Sequence, residues 1–250
     1  MKIVFDFSDQ RNVLACDYFT AKNKKTAKLG TFSIEKGDFC VFSPAKKWTP
    51  EEILSLCDDI TVLAGGIDDE CRAIFASKHI KYINILEDEA FAIRNANYTA
   101  EGVLAIMLAE TNKSIFEQNV LIVGAGRIGK ALAVLFGRLG LNFTLGSFSE
   151  KDKIQGNFYL CRCKPKGSFL KELDKYDVII NTIPNVVFDA ENVQQIHRDA
   201  ILIETASKYC IAETSNLPFK FIVAGKLPQK YCLESASNLV IAKIEEVLDD

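Results

Sequence analysis

Residues 119–147 read NVLIVGAGRIGKALAVLFGRLGLNFTLGS, and their pattern decides the fold. Val120, Leu121, Ile122 and Val123 make an unbroken apolar run, as expected of a parallel strand buried on both faces. Gly124, Gly126 and Gly129 follow in G-x-G-x-x-G spacing. Ile128, Ala131, Leu132, Leu135 and Leu139 then recur at helical spacing and predict one buried helix face. Gly140 stops that helix, and Leu141, Phe143 and Leu145 resume a strand. Strand, glycine turn, helix and strand in this order open a dinucleotide-binding fold. The glycine spacing alone is a weak signal; here its flanking elements stand in register with it.

Gly124 permits the tight turn, Gly126 lets a pyrophosphate approach the backbone, and Gly129 lets helix and strand pack closely. The helix N-terminus offers free N–H groups and the positive end of its dipole to the phosphates. Gly124, Ala125, Gly126, Arg127, Ile128 and Gly129 are therefore candidate cofactor-binding residues, with Arg127 adding a charge. The alternative is a glycine turn in an α/β domain without a nucleotide. An NAD site usually carries an acid about 20 residues on, bonded to the ribose 2′-OH. Here Thr144-Leu145-Gly146-Ser147-Phe148-Ser149 contains no carboxylate before Glu150. Ser147, Ser149 and Lys151 would welcome a 2′-phosphate, so the expected cofactor is NADP, with NAD the alternative if Glu150 reaches the ribose.

The chain has 250 residues, 48% hydrophobic and 25% charged, with net charge −3. That composition suits a globular protein with a sizeable core in one or two domains. Mild acidity leaves no electrostatic footprint for nucleic acid. The basic run Lys22, Lys24, Lys25, Lys28 reads as a solvated loop or helix end. Asp6 and Asp9 argue against a signal peptide, and no apolar run approaches a membrane span, so a cytoplasmic protein is expected. The eight cysteines are scattered, and only Cys161 and Cys163 lie close together. Without a C-x-x-C pair or a histidine cluster, no metal site is expected. His79 and His197 both sit in polar helix-end contexts, which argues against a histidine proton shuttle.

Strands are expected at residues 2–7, 39–42, 60–64 and 82–85, alternating with helices at 9–21, from Pro50, and at 68–77. This predicts a small N-terminal α/β domain over residues 1–96, with a last helix at 235–250 packing back on it. Residues 99–111 predict an apolar helix capped by Thr99, joining two domains and lining the cleft between them. The second domain, residues 97–234 with that helix, is expected to be a Rossmann-type doubly wound parallel sheet. Its further strands would end at Asn181-Thr182-Ile183-Pro184, at Glu204-Thr205-Ala206-Ser207 and at Ala224-Gly225. Ligands in such sheets lie outside the carboxyl ends of the strands. Asn181, Thr182, Ile183, Pro184 and Thr205 are thus further cofactor-contacting candidates, the 181–184 turn against the nicotinamide ribose. An ordinary strand-to-helix turn explains the same residues.

Asn97-Tyr98-Thr99-Ala100-Glu101-Gly102, Gly126-Arg127-Ile128-Gly129, Asn181-Thr182-Ile183-Pro184 and Glu204-Thr205-Ala206-Ser207 together resemble the A-subunit family of dipicolinate synthase. The likeness covers about residues 95–240, and that family in turn resembles two-domain 2-hydroxy-acid dehydrogenases. It implies NADP-linked production of pyridine-2,6-dicarboxylate from a dihydrodipicolinate-pathway intermediate in spore formers, with a second, flavoprotein-like subunit. The chain departs from the family pattern in carrying Glu204 where Asp is usual. Lys208-Tyr209-Cys210-Ile211 replaces a proline and glycine pair, and Gly225-Lys226-Leu227-Pro228-Gln229-Lys230 shifts a proline.

An NADP-dependent oxidoreductase acting on a small carboxylate is the favoured reading, the hydride chemistry being the cofactor's. Glu101, Thr99 and Lys208 are the catalytic candidates, and Arg94, Arg127 and Lys208 the carboxylate partners. Each cation also reads as a solvated surface charge, and Glu101 as a first-turn acid complementing the helix dipole. Two other readings stand: a shikimate-dehydrogenase-like NADP enzyme, and a dinucleotide-sensing subunit without turnover. A homodimer is the expected self-assembly.

Overall fold

The computed structural model describes residues 1–152 and 162–249. The chain divides into two compact units, Met1–Asn95 with Cys232–Asp250, and Ala96–Tyr231. Cys161 lies outside the described residues. Among those described, no helix is long and apolar enough to cross a membrane.

The first unit holds five strands: β1 (Ile3–Phe5), β2 (Thr26–Lys28), β3 (Phe39–Val41), β4 (Thr61–Ala64) and β5 (Lys81–Asn84). All pair in parallel, in the order β2-β1-β3-β4-β5. This is the flavodoxin-like order of a doubly wound sheet. Strand β2 is an addition to the expected set: Thr26-Ala27-Lys28 is too short and too polar to stand out, and only Ala27 of it is buried. Helices α1 (Gln10–Ala21), α2 (Pro50–Leu54) and α3 (Asp69–Ser77) connect the strands. Asp9, Thr49 and Asp68 cap them, each accepting from a first-turn backbone N–H. Val4, Cys40, Val62, Ile53 and Phe75 form the core of one face.

A buried ion pair closes the carboxyl ends of β1 and β3. Asp9 is fully buried; Arg11 donates to it through Nε at 2.9 Å and Nη2 at 2.6 Å, and Ser43 Oγ donates at 2.7 Å. Arg11 Nη1 also donates to Asn95 Oδ1 at 3.2 Å. Burial works to raise the Asp9 pKa, yet hydrogen bonds from Arg11 and Ser43 and the guanidinium charge hold it below its ordinary value.

The second unit holds β6 (Val120–Val123), β7 (Phe143–Gly146), β8 (Arg162–Lys164), β9 (Val178–Asn181), β10 (Ile201–Glu204) and β11 (Lys220–Val223). They form one parallel sheet in the order β11-β10-β9-β6-β7-β8. This is the 3-2-1-4-5-6 order of the dinucleotide fold, with β6 as its first strand. Alternate residues of β6 and β9 supply two cores. Val120, Ile122, Val178 and Ile180 face α4 (Glu89–Glu110) and α5 (Arg127–Leu139). Leu121, Val123 and Ile179 face Phe169, Leu173 and Phe188. Strand β8 is a further addition to the expected set, its residues being Arg-Cys-Lys.

Two sequence expectations need correction. Helix α4 begins at Glu89, ten residues before Thr99, because Asp88 Oδ1 accepts from Phe91 N at 3.0 Å and caps it there. Phe91, Ala92, Ala96, Ala100, Val103 and Met107 sustain the buried stripe through the polar Asn95–Asn97 stretch. Thr99 is therefore a mid-helix residue and no cap, and Glu101 lies outside the first turn. In α5, Phe136 takes the buried place expected of Leu139, and Leu139 is exposed. Gly140 N bonds Gly137 O at 3.1 Å and Leu141 N bonds Phe136 O at 3.0 Å, a Schellman closure. The reversal brings Leu141 onto the core beside Phe136 and turns Leu139 to solvent. The last helices are α6 (Ala190–Gln195), α7 (Leu227–Tyr231) and α8 (Leu233–Asp249). Helix α8 belongs to the first unit, where Tyr18 Oη donates to Glu245 Oε1 at 2.8 Å.

Asp9→Asn should destabilise the protein by about 3–5 kcal/mol at neutral pH, by leaving Arg11 buried without its partner. A depressed folded pKa gives stability that is present above the unfolded value near 3.9 and is lost as pH falls through the folded value. Denaturant unfolding should therefore show the gap between wild type and variant shrinking below about pH 4. A gap constant with pH would show that the ionised pair is not its source.

Candidate functional site

The second sheet reverses its winding between β6 and β9, and a ligand crevice forms outside the carboxyl ends of strands at such a point. Gly124 leaves β6 at φ +106°, a region that side chains avoid. A Cβ there would also collide with Thr182 Oγ1 and Ile183 Cγ1. A Cβ on Gly129 would strike the carbonyl oxygen of Gly124, so the helix touches the turn backbone to backbone. Gly126 differs: its φ is −74° and an added Cβ meets nothing within 4 Å. It is the residue before α5 and makes no side-chain capping bond. The N–H groups opening this 13-residue helix, at Arg127, Ile128 and Gly129, precede the first intrahelical bond, Lys130 N to Gly126 O at 2.9 Å. Main-chain N–H groups at a helix N-terminus can hold an anion, and the space at Gly126 beside them is open. Ala125 is half-buried beside it and Arg127 is exposed.

At the end of β7 the structure separates the three residues read as 2′-phosphate partners. Ser147 is buried, and its hydroxyl accepts from Ser149 N at 3.0 Å, which shapes the loop. An aspartate at 147 would thus place a carboxylate in the core. Ser149 and Lys151 are exposed. Glu150 is paired with Lys166, a cation that the sequence does not announce because the short β8 preceding it carries no strand pattern. Lys166 sits at φ +54° ahead of Gly167 at +69°, a turn that returns the chain beneath Ser147 through Gly167 N to Ser147 O at 2.9 Å.

The third segment lies at the ends of β9 and β10. Asn181 is fully buried, and its amide nitrogen donates to Glu204 Oε1 at 2.9 Å, to Oε2 at 3.1 Å and to Ile183 O at 2.8 Å. Its Oδ1 accepts from Ile183 N at 3.2 Å. Thr182 Oγ1 donates to Val123 O at 2.8 Å, and Thr205 Oγ1 to Asn181 O at 2.7 Å. Asn181, Thr182 and Thr205 therefore hold one another and the glycine turn in place. Ile183 is half-buried and Pro184 exposed. Glu204, also fully buried, accepts from Ala206 N at 2.8 Å and Cys210 N at 2.7 Å. Burial, then the charge of Glu204, pushes the Cys210 thiol well above its ordinary pKa, so it is a poor nucleophile.

The catalytic candidates share an end of the sheet but not a face. Glu110 pairs with Lys220 at the start of β11 at 2.5 Å, and Gly102 packs on Leu227 beyond its end. Thr99, buried, and Glu101, exposed, thus lie toward the carboxyl end of the sheet, on the α4 face. Lys208 is exposed on the loop after β10, which is anchored on the opposite face by buried Cys210 and Ile211. Arg94 belongs to the first unit and is exposed.

No family model matches the chain. It is 28% identical over 200 residues to the dipicolinate synthase A-subunit of Bacillus subtilis (strain 168), across 75% of this chain and 64% of the relative. The match thus spans just under two thirds of that relative's length. Among solved structures, the dipicolinate synthase A-subunit from Bacillus halodurans superposes with a TM-score of 0.79 at 19% identity, covering 100% of this chain and 97% of the other. The apo D-lactate dehydrogenase of Escherichia coli gives a TM-score of 0.71 at 9% identity, over 100% and 96%. The chain has two Rossmann-like α/β domains and resembles the dipicolinate synthase A-subunit.

The glycine geometry makes opposite demands on two residues of one motif. Gly126→Ala should leave stability within about 0.5 kcal/mol of wild type. Gly129→Ala should cost about 1–3 kcal/mol or more through overpacking against Gly124. Equal unfolding midpoints for the two variants would contradict the close helix-to-turn contact.

Proposed function

We propose that the chain is an NADP-dependent oxidoreductase acting on a small cyclic carboxylate, with pyridine-2,6-dicarboxylate as its product. The observation that carries this reading is the open backbone at Gly126, at the winding reversal of the sheet. The resemblance to dipicolinate synthase supplies the substrate class. A bound nicotinamide dinucleotide would take up hydride from the dihydro ring while a proton leaves. The α5 amides would hold the pyrophosphate, and exposed Ser149 and Lys151 the 2′-phosphate. Pairing with Lys166 holds Glu150 away from the role of ribose acid, which favours NADP over NAD. Lys208 is the proposed partner of a substrate carboxylate, and Thr99 and Glu101, on the α4 face across the carboxyl ends of the strands from it, are the proposed hydroxyl and proton-moving groups.

The proposed assembly is cytoplasmic, with a second, flavoprotein-like subunit or a second copy of the chain as partner. A dinucleotide-sensing role without turnover is the second reading. It is favoured by Asn181, Thr182 and Thr205 being committed to internal bonds, which leaves few rim side chains for chemistry.

Nicotinamide absorbance, followed with dihydrodipicolinate and each cofactor, separates the readings: reduction of NADP supports the enzyme, and binding without reduction the sensor. Gly126→Val should abolish dinucleotide binding in calorimetry while the circular dichroism spectrum stays native; undiminished binding would remove the assignment. Lys151→Glu should weaken NADP about tenfold more than NAD, the scale of one charged hydrogen bond. Lys208→Met should raise KM for the dicarboxylate about tenfold at little change in kcat if it holds a carboxylate. An unchanged KM would return Lys208 to the solvated surface.

A further inference from the structure

Glu204 is a carboxylate with no exposed surface at the end of a central strand, and the scheme above gives it no part. A buried charge is stable only when every lone pair is met. Here three donor nitrogens on two separate loops meet it, one of them shared between both oxygens. Asn181 Nδ2, at 2.9 and 3.1 Å, belongs to the 181–184 turn after β9. Ala206 N at 2.8 Å and Cys210 N at 2.7 Å belong to the loop after β10. The same Asn181 amide shapes its own turn through Ile183 O at 2.8 Å and Ile183 N at 3.2 Å. That turn presses Thr182 Oγ1 and Ile183 Cγ1 against Gly124. Contacts therefore run unbroken from Glu204 through Asn181 and Thr182 to the glycine turn, while the other branch of the carboxylate holds the loop that carries Lys208.

We infer that Glu204 is the positioning residue for the nicotinamide half of the dinucleotide site: its buried carboxylate holds the 181–184 turn and the 205–210 loop as one body beside Gly124. The inference rests on the dinucleotide reading above. In a doubly wound sheet each half binds one mononucleotide, the acid-bearing second strand marking the adenosine half. Strands β6, β7 and β8 make that half here, and β9, β10 and β11 make the other. Glu204 touches only the second. Glutamine at 204 keeps the shape but turns an NH2 toward donors it cannot satisfy. Aspartate keeps the charge on a shorter stem.

The experiment measures NADPH and ADP binding by calorimetry on the full chain, alongside thermal unfolding, for wild type, Glu204→Gln, Glu204→Asp and Asn181→Ala. ADP carries the adenosine and pyrophosphate alone. Glu204→Gln and Asn181→Ala should weaken NADPH about tenfold or more and leave ADP within about twofold of wild type. Glu204→Asp should recover most of the NADPH affinity. If Glu204→Gln does not fold, the Asn181→Ala and Glu204→Asp pair decides by the same split. Equal loss of both ligands would mean a general defect of the sheet and overturn the positioning role, as would unchanged NADPH binding. A wild-type protein that binds neither probe overturns the dinucleotide reading first, before any variant is compared.

Discussion

The approach of Gly129 to the carbonyl of Gly124 sets the geometry of the second unit. Two backbones in contact, with no Cβ between them, fix how near α5 sits to β6 and so where its first N–H groups point. Everything placed around that contact accommodates it. Gly124 takes a left-handed φ to begin the turn, Thr182 bonds the last carbonyl of β6, and the α5 stripe of Leu132, Ala133 and Phe136 seals the helix to the sheet. The first unit contains a similar contact: a Cβ on Gly65, after β4, would strike the carbonyl of Pro44 after β3. In both units, backbone packs closely against backbone at the strand ends, beside a buried carboxylate that is hydrogen-bonded.

Those pairings show how the rim is built without being apolar. Asp9 with Arg11 and Ser43, and Glu204 with Asn181 and two backbone amides, place charge where water cannot reach. An apolar side chain at either position would leave several donors unmatched, each costing about 1–3 kcal/mol. Such groups bring little net stability relative to a well-packed apolar pair. What they do here is tie separate loops together: Asp9 joins the segments after β1 and β3, and Glu204 those after β9 and β10.

Most of this architecture is legible in the amino-acid sequence wherever the period is clear. β6, β9 and β10 are short runs of Val, Ile and Leu with a turn signal after each, as strands buried on both faces are, and α5 shows apolar residues at helical spacing between a glycine turn and Gly140. The strands without a signal, β2 and β8, are edge strands of three residues carrying lysine and arginine, where burial leaves no pattern. The start of α4 is displaced from its expected place because Asn95-Ala96-Asn97 looks like a break, while the signal that governs is Asp88 at the cap. At the candidate site, the glycines announce their own geometry. The polar side chains do not: nothing in the order of residues tells whether Asn181 or Ser147 points to a ligand or into its own loop. That depends on Glu204, 23 residues further along, and on the turn at Lys166.

A site whose inner surface is main chain and whose polar side chains face inward has separable parts. The support is a set of residues joined by hydrogen bonds and backbone contacts, whereas Arg127, Ser149, Lys151 and Lys208 have exposed side chains. Ligand preference in such a protein can drift, or be redesigned, by exchanging the exposed side chains one at a time without reopening the folding problem. Changes at the glycine turn, Asn181 or Glu204 act instead through the hydrogen bonds and contacts that join them.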